Sequence, residues 1–308
     1  MSMVCEDFDL AWVTSTNKYL KSQTDVNGIP KLYRKAWMMM HKSGLGDVVA
    51  RGAFYSADGV VKFDGLTNEL KRVFHPYTQE IISTGGMATG GSSRGNKVDA
   101  ELAALVNEGK LPHDQNILKY SLKTAREMKK NHLLPFMAQI PVGDRRSGIA
   151  TALDYLCIDT SIDVDAPDYK SNLVNVQVKT GFDRNYFKHK DFMQSPFEKN
   201  ELIMAAEFNY ANQHDFQVKV EHVITQLNYG AMLAYSVIMV ISEHAHMCYR
   251  LGNTPRDISL ATAIYKELLR RYEKHPVKLQ TAAIELQYIK KALLQKKAKL
   301  VAAKKKSQ

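Results

Sequence analysis

The chain has 308 residues, 45% of them hydrophobic, with a formal net charge of +10. That is too apolar for a disordered protein and enough to bury a real core, in one embellished domain or two modest ones. Three scattered cysteines, Cys5, Cys157 and Cys248, exclude a disulfide framework or a zinc ribbon.

Such cysteine usage points to an intracellular, reducing compartment, cytoplasm or nucleus, with a phage or viral origin compatible. Met1 to Leu10 carries acids and lacks a long apolar run, unlike a secretory signal. The most apolar stretch, Gly230 to Ile241, is too short to span a bilayer and reads as a buried element.

Residues 1–85 mix helix and loop signals, and their role is unassigned. Leu32, Trp37 and Met38 to Met40 suggest a packed helix. Phe54-Tyr55 and Val60 to Phe63 flank Asp58-Gly59, the signature of a hairpin. The glycine-rich run Gly85 to Ser93 reads as a flexible break before a helix. It matches neither GxxxxGK with Ser or Thr nor a strand-bound GxGxxG, which argues against a phosphate loop.

A single core is expected over 86–275. Its first helix spans about Gly95 to Glu108, with Val98, Leu102, Leu105 and Val106 as the apolar stripe. Glu101 falls at the margin of that stripe, and Asp99 lies on the other side. A second helix, about Asn116 to Asn131, carries Lys119, Lys123, Arg126, Lys129 and Lys130. Three strands follow: Leu133 to Val142, Ile149 to about Ile162, and Leu173 to Thr180. Connections this short imply an antiparallel meander. Helices are then expected at Glu198 to Gln213, His222 to about Ile241 and Ser259 to Glu273. His244, His246 and Cys248 have zinc-like chemistry, but the grouping is sparse enough to arise by chance.

From 276 on, a lysine-rich helix or tail takes over. Between Lys278 and Gln308 nine lysines face one acid, Glu285, so this end carries +8 of the net charge and the body is nearly neutral. Lys296, Lys297, Lys299, Lys304, Lys305 and Lys306 are the candidate phosphate contacts, the alternative being a solvated helix end.

The third strand is the most informative segment. Val174, Val176 and Val178 share one face, and Asn175, Gln177 and Lys179 share the other. That alternation reads as a half-buried strand presenting a polar row. Asp154, flanked by Leu153 and Tyr155 on the strand before, is placed to meet that row. If the register turns it away, Asp159 or Asp163 becomes the acid.

Taken together, the helix with Glu101, the strand Gly148 to Asp154 and the sequence Val176-Gln177-Val178-Lys179-Thr180-Gly181 resemble the PD-(D/E)xK nuclease superfamily. The likeness is nearest to its RecB-type and lambda-exonuclease-type branches and covers about residues 90–240. It implies an α/β, restriction-endonuclease-like core: helix, three-stranded meander, helix and a further strand, with helical additions at both ends. It also implies Mg²⁺ or Mn²⁺ held by Glu101, Asp154 and the carbonyl of Val178, with Gln177 and Lys179 completing the catalytic set. The implied activity is cleavage of DNA, exonucleolytic, in replication, recombination or repair.

Gln177 departs from the acid of the motif, which weakens metal binding or leaves a core that binds without cutting. Gln226 and Tyr229 stand one residue short of the branch's QxxxY spacing and are secondary candidates, as is Asp159. A DNA-binding protein without catalysis, or a subunit of an assembly through self-association or a partner protein, are the rival readings.

Overall fold

The computed structural model describes residues 48–50, 53–56, 58–59, 61–74, 87–108, 115–180, 210–229, 233–242, 246–251 and 254–274. The helix expected around Leu32 to Met40 and the lysine tail lie outside these residues, as does most of the segment Glu198 to Gln213.

Eight strands and five helices occupy the described residues, in a mixed α/β arrangement. In chain order these are β1 (Val48–Ala50), β2 (Phe54–Ser56), β3 (Lys62–Gly65), α1 (Leu66–Phe74), α2 (Met87–Glu108), α3 (Gln115–Lys130), β4 (Leu133–Asp144), β5 (Ile149–Asp159), β6 (Leu173–Thr180), α4 (Tyr210–Tyr229), β7 (Leu233–Ile241), β8 (His246–Leu251) and α5 (Pro255–Lys274). No described helix is long and apolar enough to cross a membrane.

The Asp58-Gly59 hairpin forms as its sequence directs. Gly59 takes φ 76°, which only glycine adopts without strain, and its N–H donates to Ser56 at 2.8 Å. Phe54 then pairs with Phe63. The meander also forms. β4 and β5 are antiparallel from Leu133–Asp159 to Asp144–Ile149, and β5 and β6 from Tyr155–Val176 to Ile158–Leu173. Beyond β6 the sheet adds β7 in parallel and β8 antiparallel.

Three expectations fail. No gap separates helices at Gln213 and His222, since α4 runs unbroken from Tyr210 to Tyr229. Residues 233–241 form β7 and not the end of a helix begun at His222; α4 stops at Tyr229. A run such as Ser236-Val237-Ile238-Met239-Val240-Ile241, buried on both faces, has no period by which to tell strand from helix. The break read at Gly85 to Ser93 is also helical from Met87, as the first turns of α2.

β5 organises the sheet. β4 takes one of its edges along the whole length, so β3 and β6 share the other. β3 runs parallel beside Ile149–Ala150, and β6 antiparallel beside Tyr155–Ile158. Between them Thr151 to Asp154 has no strand partner on that edge among the described residues, and the sheet forks there.

Each face is covered. Val174, Val176, Val178, Tyr155 and Met239 pack under α2 and α3 with Val98, Leu102 and Leu105. Leu153, Leu156, Ile158 and Leu173 pack on the opposite face with Leu66, Phe216, Val220, Ile224 and Ile264 from α1, α4 and α5. This is a sheet between two helical layers.

Candidate active site

The polar row of β6 is not a solvent-facing row. Asn175 and Gln177 are 0% exposed, because α4 lies over them. A buried polar group must find a partner or cost stability, and α4 supplies partners through Gln217 and Glu221, with Gln213 buried one turn before them. Spaced by four residues, these three share one helical stripe.

Glu221 is fully buried and accepts from four side chains: Asn175 Nδ2 at 2.9 Å, Gln217 Nε2 at 2.9 Å, Thr151 Oγ1 at 3.1 Å and Gln177 Nε2 at 3.1 Å. Burial lifts its carboxyl to about 7 against the pull of Gln217 and Asn175. Gln177 in turn uses its Oε1 to accept from Lys179 Nζ at 2.9 Å.

Asp154 stands where β5 loses its neighbour. Since the β5–β6 ladder stops at Tyr155–Val176, the N–H of Val178 is left to a side chain, and it donates to Asp154 Oδ2 at 3.0 Å. Lys179 Nζ lies 3.6 Å from the same oxygen. Gln139 also donates to Asp154. It occupies β4 between the pairs Ala138–Tyr155 and Ile140–Leu153 at φ 55°, a left-handed backbone that costs a non-glycine residue about 1–2 kcal/mol. Burial raises the Asp154 carboxyl, and Lys179 and the Val178 N–H oppose the rise.

The helix acid that reaches this group is Asp99. Burial lifts its carboxyl to about 7, Asp154 adds repulsion, and Lys179 opposes both. Its Oδ1 is buried with no hydrogen-bond partner. Glu101, two residues on, sits about 200° further round α2.

The fork in the sheet opens into a cavity of about 380 Å³. Asp154, Lys179 and Thr151 line it from the sheet together with Gly65 at the end of β3, Gln213, His214 and Gln217 from α4, and Leu66 to Asn68 from the start of α1. Free N–H groups at a helix N-terminus favour an anion. His214 is held neutral by burial, then by Lys179.

The structure therefore brings Asp154, Gln177, Val178 and Lys179 together. Asp159 does not join them. It accepts from Ser161 and Tyr235 and lies 3.6 Å from Arg250, beside Leu133 at the other end of β5. Gln226 lines a separate cavity of about 370 Å³ with Leu227 and Tyr265, and Tyr229 ends α4. Lys296 to Lys306 lie outside the described residues. Asp99, Gln139, Gln217 and Glu221 are the site residues that sequence reasoning missed. The signal for the last two was a polar stripe at Gln213, Gln217 and Glu221 among Phe216, Val218, Val220 and Ile224.

Among the described residues no three His, Cys, Asp or Glu side chains cluster to hold an ion between them. The donor set is smaller: two mutually repelling carboxylates, one with an orphan oxygen, beside an unladdered stretch of backbone. Such a set fits one hard divalent cation that keeps several waters, as Mg²⁺ commonly does. Without a divalent cation the repulsion is relieved by Lys179 and by a proton.

No family model and no curated protein matches the chain. A solved structure described as SSO0001 aligns over 78% of this chain and 84% of its own, at 11% identity and a TM-score of 0.26, too distant to bear on fold or function.

Proposed function

We propose that this chain is a metal-dependent nuclease that hydrolyses phosphodiester bonds in DNA, built on a restriction-endonuclease-like core of the PD-(D/E)xK type. The observation that carries the reading is the convergence of Asp99, Asp154 and Lys179 at the fork of the sheet, with Asp154 fixed by the Val178 N–H.

Asp99, Asp154 and the carbonyl of Val178 would hold Mg²⁺ or Mn²⁺. A bound ion supplies Lewis-acid charge and lowers the pKa of a coordinated water. The protein's own groups do the rest. Lys179, placed by Gln177 and Asp154, offers its ammonium to the charge that develops on the phosphate oxygens. The start of α1 gives N–H donors to a neighbouring phosphate. His214, held neutral, adds no positive charge to the wall. Exonucleolytic action and a role in replication, recombination or repair rest on the sequence resemblance.

One observation favours a second reading, a core that binds DNA without cutting it. Position 177 holds an amide, and its carbonyl oxygen is already committed to Lys179 and Gln217.

The test is incubation of the purified protein with labelled single- and double-stranded DNA, with and without Mg²⁺ or Mn²⁺. Cleavage should require the ion. Asp154→Ala or Lys179→Ala should each lower it by about 10³-fold, with DNA binding largely kept because the basic tail persists. Full activity in either variant refutes the assignment. Binding without cleavage under any divalent ion selects the second reading.

A further inference from the structure

We infer that Glu221 is a positioning residue: its carboxylate, acting through Gln177, holds the ammonium group of Lys179 in the site and supplies from α4 the negative charge that position 177 lacks. This rests on the nuclease reading for its effect on rate, and on geometry alone for its effect on Lys179.

A glutamine amide has two ends that differ in chemistry but hardly in shape. Which end faces Lys179 decides whether position 177 attracts or repels an ammonium. Here Nε2 of Gln177 lies 3.1 and 3.2 Å from the two oxygens of Glu221. Oε1 is thereby turned to Lys179 at 2.9 Å. Flipping the amide would set a carbonyl against a carboxylate and an NH₂ against an ammonium.

Gln217 supports the same orientation, donating both to Gln177 Oε1 at 3.3 Å and to Glu221 Oε1 at 2.9 Å. The side chains that donate to the Glu221 carboxylate, Thr151, Asn175, Gln177 and Gln217, are all neutral. Once Glu221 is ionised, above about pH 7, its negative charge is not cancelled by a contacting cation and acts along the chain Glu221, Gln177, Lys179. Lys179 completes the line by lying 3.6 Å from Asp154.

The relation can be tested by exchanging the two side chains. Glu221→Gln keeps the shape but removes the charge that orders the amide. Gln177→Glu alone puts two buried carboxylates in contact. The double variant Gln177→Glu with Glu221→Gln restores one carboxylate and one amide in reversed order. Each single change should lower kcat by about 10–100-fold, the range seen for groups that orient a functional residue, with KM for DNA little changed. The double variant should return to within a few-fold of the parent.

A second readout needs no activity. The Nζ ammonium signal of Lys179 in ¹⁵N-detected NMR should be resolved in the parent, lost by solvent exchange in Glu221→Gln, and regained in the double variant. Gln177→Met, which cuts the link but leaves Glu221 in place, should also lose it. A signal kept in Gln177→Met, or a double variant no better than either single one, overturns the proposal. A parent protein with the expected signals but no cleavage leaves the positioning role standing and removes the nuclease reading instead.

Discussion

At neutral pH the Asp99 carboxyl is poised between two charge states, because burial and Asp154 lift it to about 7 while Lys179 draws it down. In the unfolded chain the same group titrates near 3.8, its ordinary value. Between those values the folded protein holds a proton that the unfolded chain has released. Stability from this group is therefore full below about pH 4, declines as pH rises, and levels off above about 7. Each unit corresponds to roughly 1.4 kcal/mol, so the decline amounts to a few kcal/mol at most. Asp99→Asn removes it. Melting curves across pH 4–8 in a chelator should show the variant gaining on the parent as pH rises. Parallel curves would mean that Asp99 does not feel the site. Divalent-ion affinity of the parent should rise through pH 7, since the ion displaces the proton. Residues of this kind were only half legible in the sequence. Asp154 and Lys179 were, through strand parity and an apolar flank. The choice between Asp99 and Glu101 depended on the phase of α2, which the apolar stripe alone did not fix.

Elements were legible where their periodicity was clean and obscure where burial erased it. β6 has the predicted ends, and its valine face packs as alternation requires. Its other face is covered too, because the residues of α4 that meet it lie at 213–221, just where the sequence reading left a gap between two helices. β7 lacked any period at all. A different device ties α4 and α5 to the sheet. Asp144, at the end of β4 and 1% exposed, accepts from the Ser147 N–H at 2.9 Å, Asn228 Nδ2 at 3.2 Å and the Tyr265 hydroxyl at 2.6 Å. Burial would raise its carboxyl, but these donors outweigh burial and lower it. The stability it adds is present above its ordinary value and is lost as pH falls through the lowered one. Asp144→Ala should cost about 3 kcal/mol in urea denaturation at pH 7, and Tyr265→Phe about 1 kcal/mol. A loss below about 0.5 kcal/mol for Asp144→Ala would show that the turn does not anchor the helices.

In the molecule as a whole, the described part of the segment before residue 85 joins the core: β1 to β3 extend the sheet, and α1 helps close the cavity beside Asp154. The sequence disclosed the hairpin there but not its destination, since nothing in Lys62 to Gly65 names a partner as distant as Ile149. The basic tail was visible as composition alone; if it contacts DNA as proposed, deleting residues 277–308 should flatten the salt dependence of binding.

The fork in β5 also sets an order of events in time. Asp144 and Ile149 are joined by a four-residue turn, and Tyr155 finds Val176 across a modest loop, whereas Asp64 must find Ile149 across the whole of α2, α3 and β4. Closing long loops is the slow part of folding. The acid and the lysine should therefore meet early, within the meander, and the wall contributed by β3 and α1 should dock last. In pulse-labelled hydrogen exchange during refolding, amides of β4 to β6 should gain protection before those of β3 and α1; simultaneous protection would contradict this order. A nascent chain would then hold its charged pair open to water until the N-terminal segment returns to cover it.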